Sequence, residues 1–165
     1  MRIQSFEPIV GDSCRVLVLG TMPGPASLRK QQYYGYDRNA FWRIIYNLFG
    51  EEPEEEYELR KSFLLKHNIA LWDVLKSCER EGSSDSDIRN PVPNDFAGLY
   101  LKFPNIKYVC FNGRPAGNFY RRLVEKTVRD SMGKACFYLA STSPAYTLPY
   151  EKKLEEWRLL LELLK

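Results

Sequence analysis

The sequence predicts an α/β protein, a three-layer sandwich in which helices flank a four-stranded parallel sheet. Two observations predict it. Short apolar runs rich in β-branched residues alternate with longer amphipathic segments along the chain. The apolar runs also lack polar alternation, which is typical of strands buried on both faces of a parallel sheet. The length of 165 residues fits one core, so we expect a single domain spanning residues 1–165.

The four predicted strands are RVLVLG (15–20), IALWDVL (69–75), IKYVCFNG (106–113) and ACFYLAS (135–141). Parallel sheets bind ligands at the carboxyl ends of their strands. Three strands are followed there by distinctive loops, which begin GTMPG, FNG and STSPAYT. We therefore expect these three loops to meet along one edge of the sheet.

Apolar residues at helical spacing predict helices over residues 39–50, 54–67, 96–102, 114–128 and from 149 onward. The segment between Gly20 and Asn39 is predicted to be a loop. The polar segment SCEREGSSDSDIRNPVPND (77–95) is also predicted to be a loop, with Asp85 and Asp87 as solvated acids.

The composition excludes several classes of protein. No apolar run reaches membrane-spanning length, and MRIQSFEPIVGDS lacks the apolar stretch of a signal peptide, so we expect a cytoplasmic protein without membrane contact. The four cysteines lie far apart in sequence, so no zinc or iron–sulfur spacing exists. We expect a protein without metal or cofactor. The sole histidine, His67, is distant from the three loops, which argues against Ser–His or Cys–His nucleophilic catalysis.

Charge is unevenly distributed, although the net charge is only +3. Acidic residues dominate the middle of the chain, above all in EEPEEEYE (51–58), while both flanks carry an excess of lysine and arginine. The flanks favour an anionic polymer as partner, but uneven charge is also common in proteins without one.

Each loop motif has a structural and a functional interpretation. GTMPG matches neither the P-loop nor GxGxxG, and it fits a tight turn as well as a binding loop. The asparagine of FNG, Asn112, can pair with a base edge or simply form a turn. The small residues of STSPAYT suit close approach to a phosphate or the start of a helix.

Taken together, the three loops resemble the uracil-DNA glycosylase superfamily over nearly the whole chain. GTMPG resembles the first motif, which is GINPG in the mismatch-specific branch. FNG resembles the base-recognition position, and STSPAY resembles the second motif, HPSP or NPS in other branches. The resemblance implies the uracil-DNA glycosylase-like version of the predicted sandwich.

Two positions depart from that pattern. Met22 stands where other branches carry a catalytic Asp or Asn, and Ser141 replaces a histidine. The stretch SLRKQQYYGYDRNAFW is similar to the hypoxanthine-DNA glycosylase branch, whose catalytic asparagine lies downstream of the first motif, here at Asn39.

The resemblance implies a monomeric, monofunctional DNA N-glycosylase, nucleoid-associated when engaged. It would flip a deaminated base, with hypoxanthine favoured, out of DNA and hydrolyse its glycosidic bond. Uracil or mismatch-specific uracil excision, a non-catalytic nucleic-acid or nucleotide-binding module, and an enzyme on free nucleotides remain alternatives.

The resemblance also implies roles for individual residues. Asn39 would orient the attacking water, although a helix N-cap explains it as well, and Asp37 is a rival carboxylate. The expected base-binding residues are Asn112, Tyr33, Tyr34, Phe41, Gly20 and Met22. The expected DNA contacts are Ser141, Ser143, Pro144, Tyr146, Arg29, Lys30, Arg38 and Arg114. Tyr146 would be the wedge, and for Phe41 core packing is the competing explanation.

Overall fold

A four-stranded sheet with every strand parallel forms the centre of the computed structural model, which describes residues 1–128 and 133–165. The strands in chain order are β1 (Arg2–Gln4), β2 (Val16–Gly20), β3 (Ile69–Asp73), β4 (Leu75–Glu79), β5 (Arg89–Pro93), β6 (Tyr108–Asn112) and β7 (Ala135–Leu139). The central sheet has the order β3-β2-β6-β7, and its strands lie within the predicted runs. The predicted fold class is confirmed.

Helices cover both faces of this sheet. They are α1 (Pro25–Lys30), α2 (Phe41–Leu48), α3 (Tyr57–Lys66), α4 (Phe96–Lys102), α5 (Arg114–Phe119), α6 (Tyr150–Trp157) and α7 (Leu159–Leu163). Side chains of successive residues along β2 point to opposite faces of the sheet. Val16 and Val18 pack in the cluster with α2, α3 and α6, whereas Leu17 and Leu19 pack in the cluster with α4 and α5.

The loop prediction for residues 77–95 was wrong in most of its length. β4 and β5 lie there and form a second sheet, antiparallel, in the order β1-β4-β5. The predicted strand 69–75 ends at Asp73, and after Val74 the chain enters β4. β5 contains Pro91 and Pro93, which are tolerated because it is an edge strand.

Two further predictions needed correction. The segment after Gly20 contains α1, which begins with Pro25 at its first turn, a favoured place for proline. The helix predicted over 114–128 is α-helical only to Phe119; a π-helical turn follows over Tyr120–Val124. Within the described residues, no helix is both long and apolar enough to cross a membrane.

Close packing of α5 on β7 generates a first prediction. A Cβ atom added to Gly117 would overlap the ring of Tyr138, whose hydroxyl accepts a hydrogen bond from Arg121. We expect Gly117→Ala to lower the free energy of unfolding by about 1–3 kcal/mol through overpacking. Urea denaturation measures the change. Asn118→Ala, on the exposed side of the same helix, is the control and should change stability by no more than about 0.5 kcal/mol.

Candidate active site

The three motif loops meet at the carboxyl edge of the central sheet, as the strand order requires. The backbone N–H of Gly113, after β6, donates to Leu139 at the end of β7. A Cβ atom on Gly113 would lie 3.1 Å from Cβ of Ser141, and the φ of +92° at Gly113 is one that favours glycine. The loops after β6 and β7 therefore touch directly.

Three strand ends bring their last residues to one face of this edge. Gly20 pairs with Asp73 across β2 and β3, and Asn112 ends β6. The residues two positions earlier all belong to the apolar cluster beneath α2: they are Val18, Leu71 and Cys110. Because side chains alternate along a strand, Gly20, Asp73 and Asn112 lie on the α2 side of the sheet.

Thr142 is the residue that connects these elements. Its side chain is 1% exposed, and its hydroxyl accepts a hydrogen bond of 2.9 Å from Nδ2 of Asn112. Its backbone N–H donates to Oδ1 of Asn112 at 2.9 Å, and its carbonyl accepts from the N–H of Ala40 at 3.0 Å. The Asn112 amide is thus fixed in orientation and tied to the start of α2.

Asn39 lies just before α2 and is half-buried. Its Oδ1 accepts a hydrogen bond of 2.9 Å from the backbone N–H of Phe41, so it satisfies one of the unpaired donors at the helix start. A carbonyl oxygen has two acceptor sites, and this bond uses one of them. Capping and chemistry are therefore compatible at Asn39.

Tyr34 and Phe41 form a stacked pair beside Asn112, with ring centroids 4.2 Å apart and planes 24° from parallel. Phe41 is fully buried and contacts Trp157 edge-on, so it supports Tyr34 from below. The Tyr34 hydroxyl is buried without a hydrogen-bond partner among the described residues. Burial raises the pKa of Tyr34, Asp73 adds to the rise, and the Asn112 amide opposes it.

Asp73, to which the sequence motifs assign no role, ends the outer strand β3 directly beside Gly20. Its side chain is 4% exposed, and Oδ2 finds no hydrogen-bond partner among the described residues. A Cβ atom on Gly20 would lie 2.7 Å from Oδ1 of Asp73 and 2.8 Å from the hydroxyl of Tyr34. Only a glycine at position 20 lets both groups approach so closely. The one signal in the sequence that could have indicated Asp73 was an acidic residue at the end of an apolar run.

Burial raises the pKa of Asp73 to about 7, with Asp85 contributing to the rise and Arg80 opposing it. The prediction that Asp85 is a solvated acid was wrong, because Asp85 is half-buried. This burial raises its pKa, and the Thr21 hydroxyl and Arg80 partly offset the rise. Arg80 is 6% exposed and donates to the Pro23 carbonyl at 2.7 Å, which ties the loop after β2 to the second sheet.

Besides Phe41, two more of the expected base-binding residues lie in the core. Tyr33 is 3% exposed, and its hydroxyl donates to the carbonyl of Glu7 at 2.7 Å. Met22 packs in the apolar cluster on the opposite face of the sheet, with α4 and α5. Neither side chain lies with Tyr34 and Asn112.

The loop after β7 presents small and aromatic residues to solvent. Ser141 Oγ accepts from the N–H of Ser143, whose own Oγ accepts from Ala145. Lys153, nearly buried, donates to the Ser143 carbonyl at 2.8 Å and fixes the loop from α6. Pro144 is exposed, and Tyr146 is 47% exposed. The tip of this loop is therefore rigidly held and accessible.

The four expected cationic contacts are all exposed: they are Arg29, Lys30, Arg38 and Arg114. Lys30 also has a structural role, because Nζ donates to the Gly35 carbonyl at 2.6 Å and to Oδ1 of Asp37 at 3.0 Å. The side chain of Asp37 is 93% exposed, in contrast to the buried Asp73. In the part of the chain that the structure describes, no group of three His, Cys, Asp or Glu residues is placed to hold a metal ion.

Comparisons with known proteins agree with this geometry. The family model described as the uracil DNA glycosylase superfamily matches residues 8–165. A protein of Methanosarcina acetivorans named hypoxanthine DNA glycosylase is 39% identical over 155 residues, 93% of this chain and 94% of its own. One of Methanosarcina barkeri with the same name is 34% identical over 158 residues, 95% of this chain and 96% of its own.

A solved structure is also similar over its full length. It is the solution NMR structure of a candidate uracil DNA glycosylase from Methanosarcina acetivorans, with a TM-score of 0.85 and 36% identity. The match covers 100% of both chains. At this identity and coverage, the backbone arrangement described above is common to both proteins.

The buried carboxyl of Asp73 generates a prediction about stability. Its pKa lies near 7 in the folded protein against 3.8 ordinarily, so folding favours the protonated form. The stability that the protonated carboxyl contributes is fully present below its ordinary pKa, and it is lost as the pH rises through about 7. Relative to wild type, Asp73→Asn, which cannot ionise, should therefore gain about 1–3 kcal/mol between about pH 5 and pH 8.

Urea unfolding of both proteins across this pH range measures the difference. Asp87→Asn removes an exposed carboxylate from the neighbouring 3-10 turn and is the matched control; its curve should run parallel to wild type. A parallel curve for Asp73→Asn as well would show that this carboxyl is not the group that destabilises the protein as pH rises.

Proposed function

The chain belongs to the uracil DNA glycosylase superfamily, and we propose that it is a monofunctional DNA N-glycosylase with hypoxanthine as its favoured base. It flips a deaminated base out of DNA, hydrolyses the bond to the sugar and leaves an abasic site. The relatives that support this substrate are the two Methanosarcina proteins, both named hypoxanthine DNA glycosylase and both matched over more than nine-tenths of their length.

The observation that carries the proposal is the hydrogen-bonded link through Thr142. It joins Asn112 at the end of β6 to Ala40 at the start of α2, next to Asn39. Two neutral amides are thereby held in a fixed relation at the carboxyl edge. Catalysis by positioning needs this kind of rigidity, because small displacements of the reacting groups cost large factors in rate.

Asn39 orients the attacking water. A neutral amide is too weak a base to remove a proton from water in the ground state, so its contribution is geometric. Oδ1 accepts one hydrogen from the water with the acceptor site that Phe41 leaves unused. The water oxygen forms a bond to C1′ as the C1′–N9 bond breaks, and a proton of the water ends on the departing base.

Asn112 stabilises the base as it leaves. The bond electrons move onto the base, so negative charge develops there in the transition state. Nδ2 of Asn112 donates one hydrogen to Thr142, and its second hydrogen, on the side of the Tyr34 hydroxyl, turns to the base when the base enters. The positive end of the α2 dipole lies at the same edge and favours the same charge.

Tyr34 provides the stacking platform for the flipped base. Its ring is supported from below by Phe41, and φ at Tyr34 is +52°, an uncommon conformation for a residue other than glycine. Strained backbone of this kind is often found at functional sites, where it holds a side chain in place. Gly20 contributes by leaving the space that a side chain would fill.

DNA lies across the carboxyl edge, with the loop after β7 against the minor groove. Ser141, Ser143 and Pro144 contact the backbone of the damaged strand, and exposed Tyr146 fills the space that the flipped base leaves. Arg29, Lys30, Arg38 and Arg114 neutralise phosphates. The protein acts as a monomer through one domain, residues 1–165.

Uracil is a second candidate substrate, because it presents the same carbonyl beside an N–H that hypoxanthine presents. The similar NMR structure, described as a candidate uracil DNA glycosylase, favours testing it. Xanthine also presents a carbonyl beside an N–H. A non-catalytic binding module is the alternative from a different class, since Met22 and Ser141 stand where other branches carry catalytic residues.

A strand-cleavage assay tests the function and the role of Asn39 together. End-labelled duplexes carrying one deoxyinosine, deoxyuridine or deoxyxanthosine are incubated with protein in a chelator and then treated with alkali. We expect cleavage at deoxyinosine, and a loss of at least about a hundredfold in the single-turnover rate for Asn39→Ala, typical of removing a polar group from the transition state.

Asn105→Ala is the control for this substitution. Asn105 is an exposed asparagine before the amino end of β6, away from the carboxyl edge, and its variant should retain the wild-type rate. Cleavage at deoxyuridine alone would reject the hypoxanthine branch. Binding of duplex without any abasic product would favour the non-catalytic module.

The platform role of Tyr34 makes a separate prediction. Tyr34→Leu should lower the excision rate of deoxyinosine by about tenfold to hundredfold, because stacking contributes about 1–3 kcal/mol per base. Tyr34→Phe keeps the ring and removes a hydroxyl without a partner, so it should retain most of the activity. Equal rates for the two variants in single-turnover measurements would exclude a stacking role.

A further inference from the structure

The carboxyl edge contains a buried acceptor that the proposed mechanism does not use. Asp73 is on the same sheet face as Asn112, and its Oδ2 is buried without a hydrogen-bond partner in the described part of the chain. An unpaired buried polar group costs free energy, so such an atom is a candidate for contact with a ligand. A Cβ atom on Gly20 would lie 2.7 Å from Oδ1 of the same carboxyl group and 2.8 Å from the hydroxyl of Tyr34.

The hydrogen bonds that Asn112 already makes indicate which group of the flipped base needs a partner from another residue. A base with a carbonyl beside an N–H needs one donor and one acceptor from the protein. Asn112 can supply the donor from Nδ2, but one of the two acceptor sites of its Oδ1 is taken by the backbone N–H of Thr142 at 2.9 Å, whereas Oδ2 of Asp73 has no partner among the described residues. The acceptor for the N–H of the base is therefore better supplied by a second residue.

We propose that Asp73 is the specificity-determining residue, whose carboxylate accepts the N–H beside the carbonyl of the flipped base, N1–H in hypoxanthine. The inference rests on the proposed glycosylase function and goes beyond it by naming the group that detects deamination. Gly20 makes the contact possible, because any side chain there would collide with the Asp73 carboxyl.

Deamination changes the hydrogen-bonding character of the base at this position. Adenine carries a lone pair at N1 and cytosine at N3, and both face a carboxylate unfavourably. After deamination the same atoms carry hydrogens in hypoxanthine and uracil, and the carboxylate accepts them. Guanine also carries N1–H, so this contact separates deaminated bases from adenine and cytosine and does not exclude guanine.

The ionisation of Asp73 links this recognition to pH. The groups that interact with it electrostatically are Tyr33 and Tyr34 from the segment before α2, Tyr57 at the start of α3, Asp85 from the 3-10 turn (Asp85–Asp87), and Arg80 after β4. Burial raises the pKa of Asp73 to about 7, so its carboxylate fraction changes around neutrality. Excision that uses the carboxylate should therefore rise with pH through this range.

The experiment compares deoxyinosine with N1-methyldeoxyinosine, which lacks the N1 hydrogen. Both are placed opposite a tetrahydrofuran abasic analogue, so that neither base is paired. Wild type should excise deoxyinosine about tenfold to hundredfold faster than the methylated base, as expected for a hydrogen bond to a charged group. Asp73→Ala should slow deoxyinosine by a similar factor and bring the ratio of the two rates close to one.

Asp73→Asn retains a carbonyl acceptor but cannot ionise, so it should keep more activity on deoxyinosine than Asp73→Ala and lose the rise of rate with pH. Asp87→Ala is the matched control and should behave as wild type. Thermal unfolding of each variant separates loss of recognition from loss of folding.

A wild-type ratio of rates in Asp73→Ala, or an unchanged pH profile in Asp73→Asn, would overturn the assignment of Asp73 alone. If the wild-type protein excises no deaminated base from any duplex, the proposed function itself has failed. The two failures are therefore distinguishable in the same set of reactions.

Discussion

The hydrogen bonds of Thr142 are the constraint on which the geometry of the site depends. Parallel strands end at one edge, but their pairing alone does not fix the side chains that project beyond it. Thr142 bonds to both atoms of the Asn112 amide and to the backbone of Ala40. A single buried threonine thereby couples β6, the loop after β7 and the start of α2. Each bond is modest by itself, about 1 kcal/mol, but together they leave the amide one orientation.

The protein combines this rigid link with groups that are costly to bury. Among the residues that the structure describes, the hydroxyl of Tyr34 and Oδ2 of Asp73 both lack hydrogen-bond partners, and the backbone of Tyr34 is in the left-handed region. The surrounding core offsets these costs: Phe41, which stacks on Tyr34, and Trp157, which contacts Phe41, are both completely buried. Locally unfavourable features supported by a well-packed core are characteristic of binding sites.

The central sheet was predictable because strands buried on both faces leave uninterrupted apolar runs in the sequence. The second sheet was not, since β4 and β5 are short and polar and one contains two prolines. Asn39 and Asn112 were predicted as site residues by resemblance, from their positions relative to the motifs, and their roles stay a prediction. Burial of Asp73 was not predictable, because an acidic residue that follows an apolar run is as often solvated as buried. The adjacent residues Tyr33 and Tyr34 could not be told apart from the sequence. The positive φ at Tyr34 turns their side chains in different directions, that of Tyr33 into the core and that of Tyr34 to the carboxyl edge.

The prolines of β5 have a consequence for how molecules of this protein meet one another. An outer strand offers unpaired N–H and C=O groups that can recruit a strand from a second molecule and begin aggregation. β5 is the outer strand of the small sheet, and Pro91 and Pro93 carry no N–H. An incoming strand would find these donors missing. The two prolines that made β5 hard to predict from the sequence thus also make this edge of the sheet a poor template for growth.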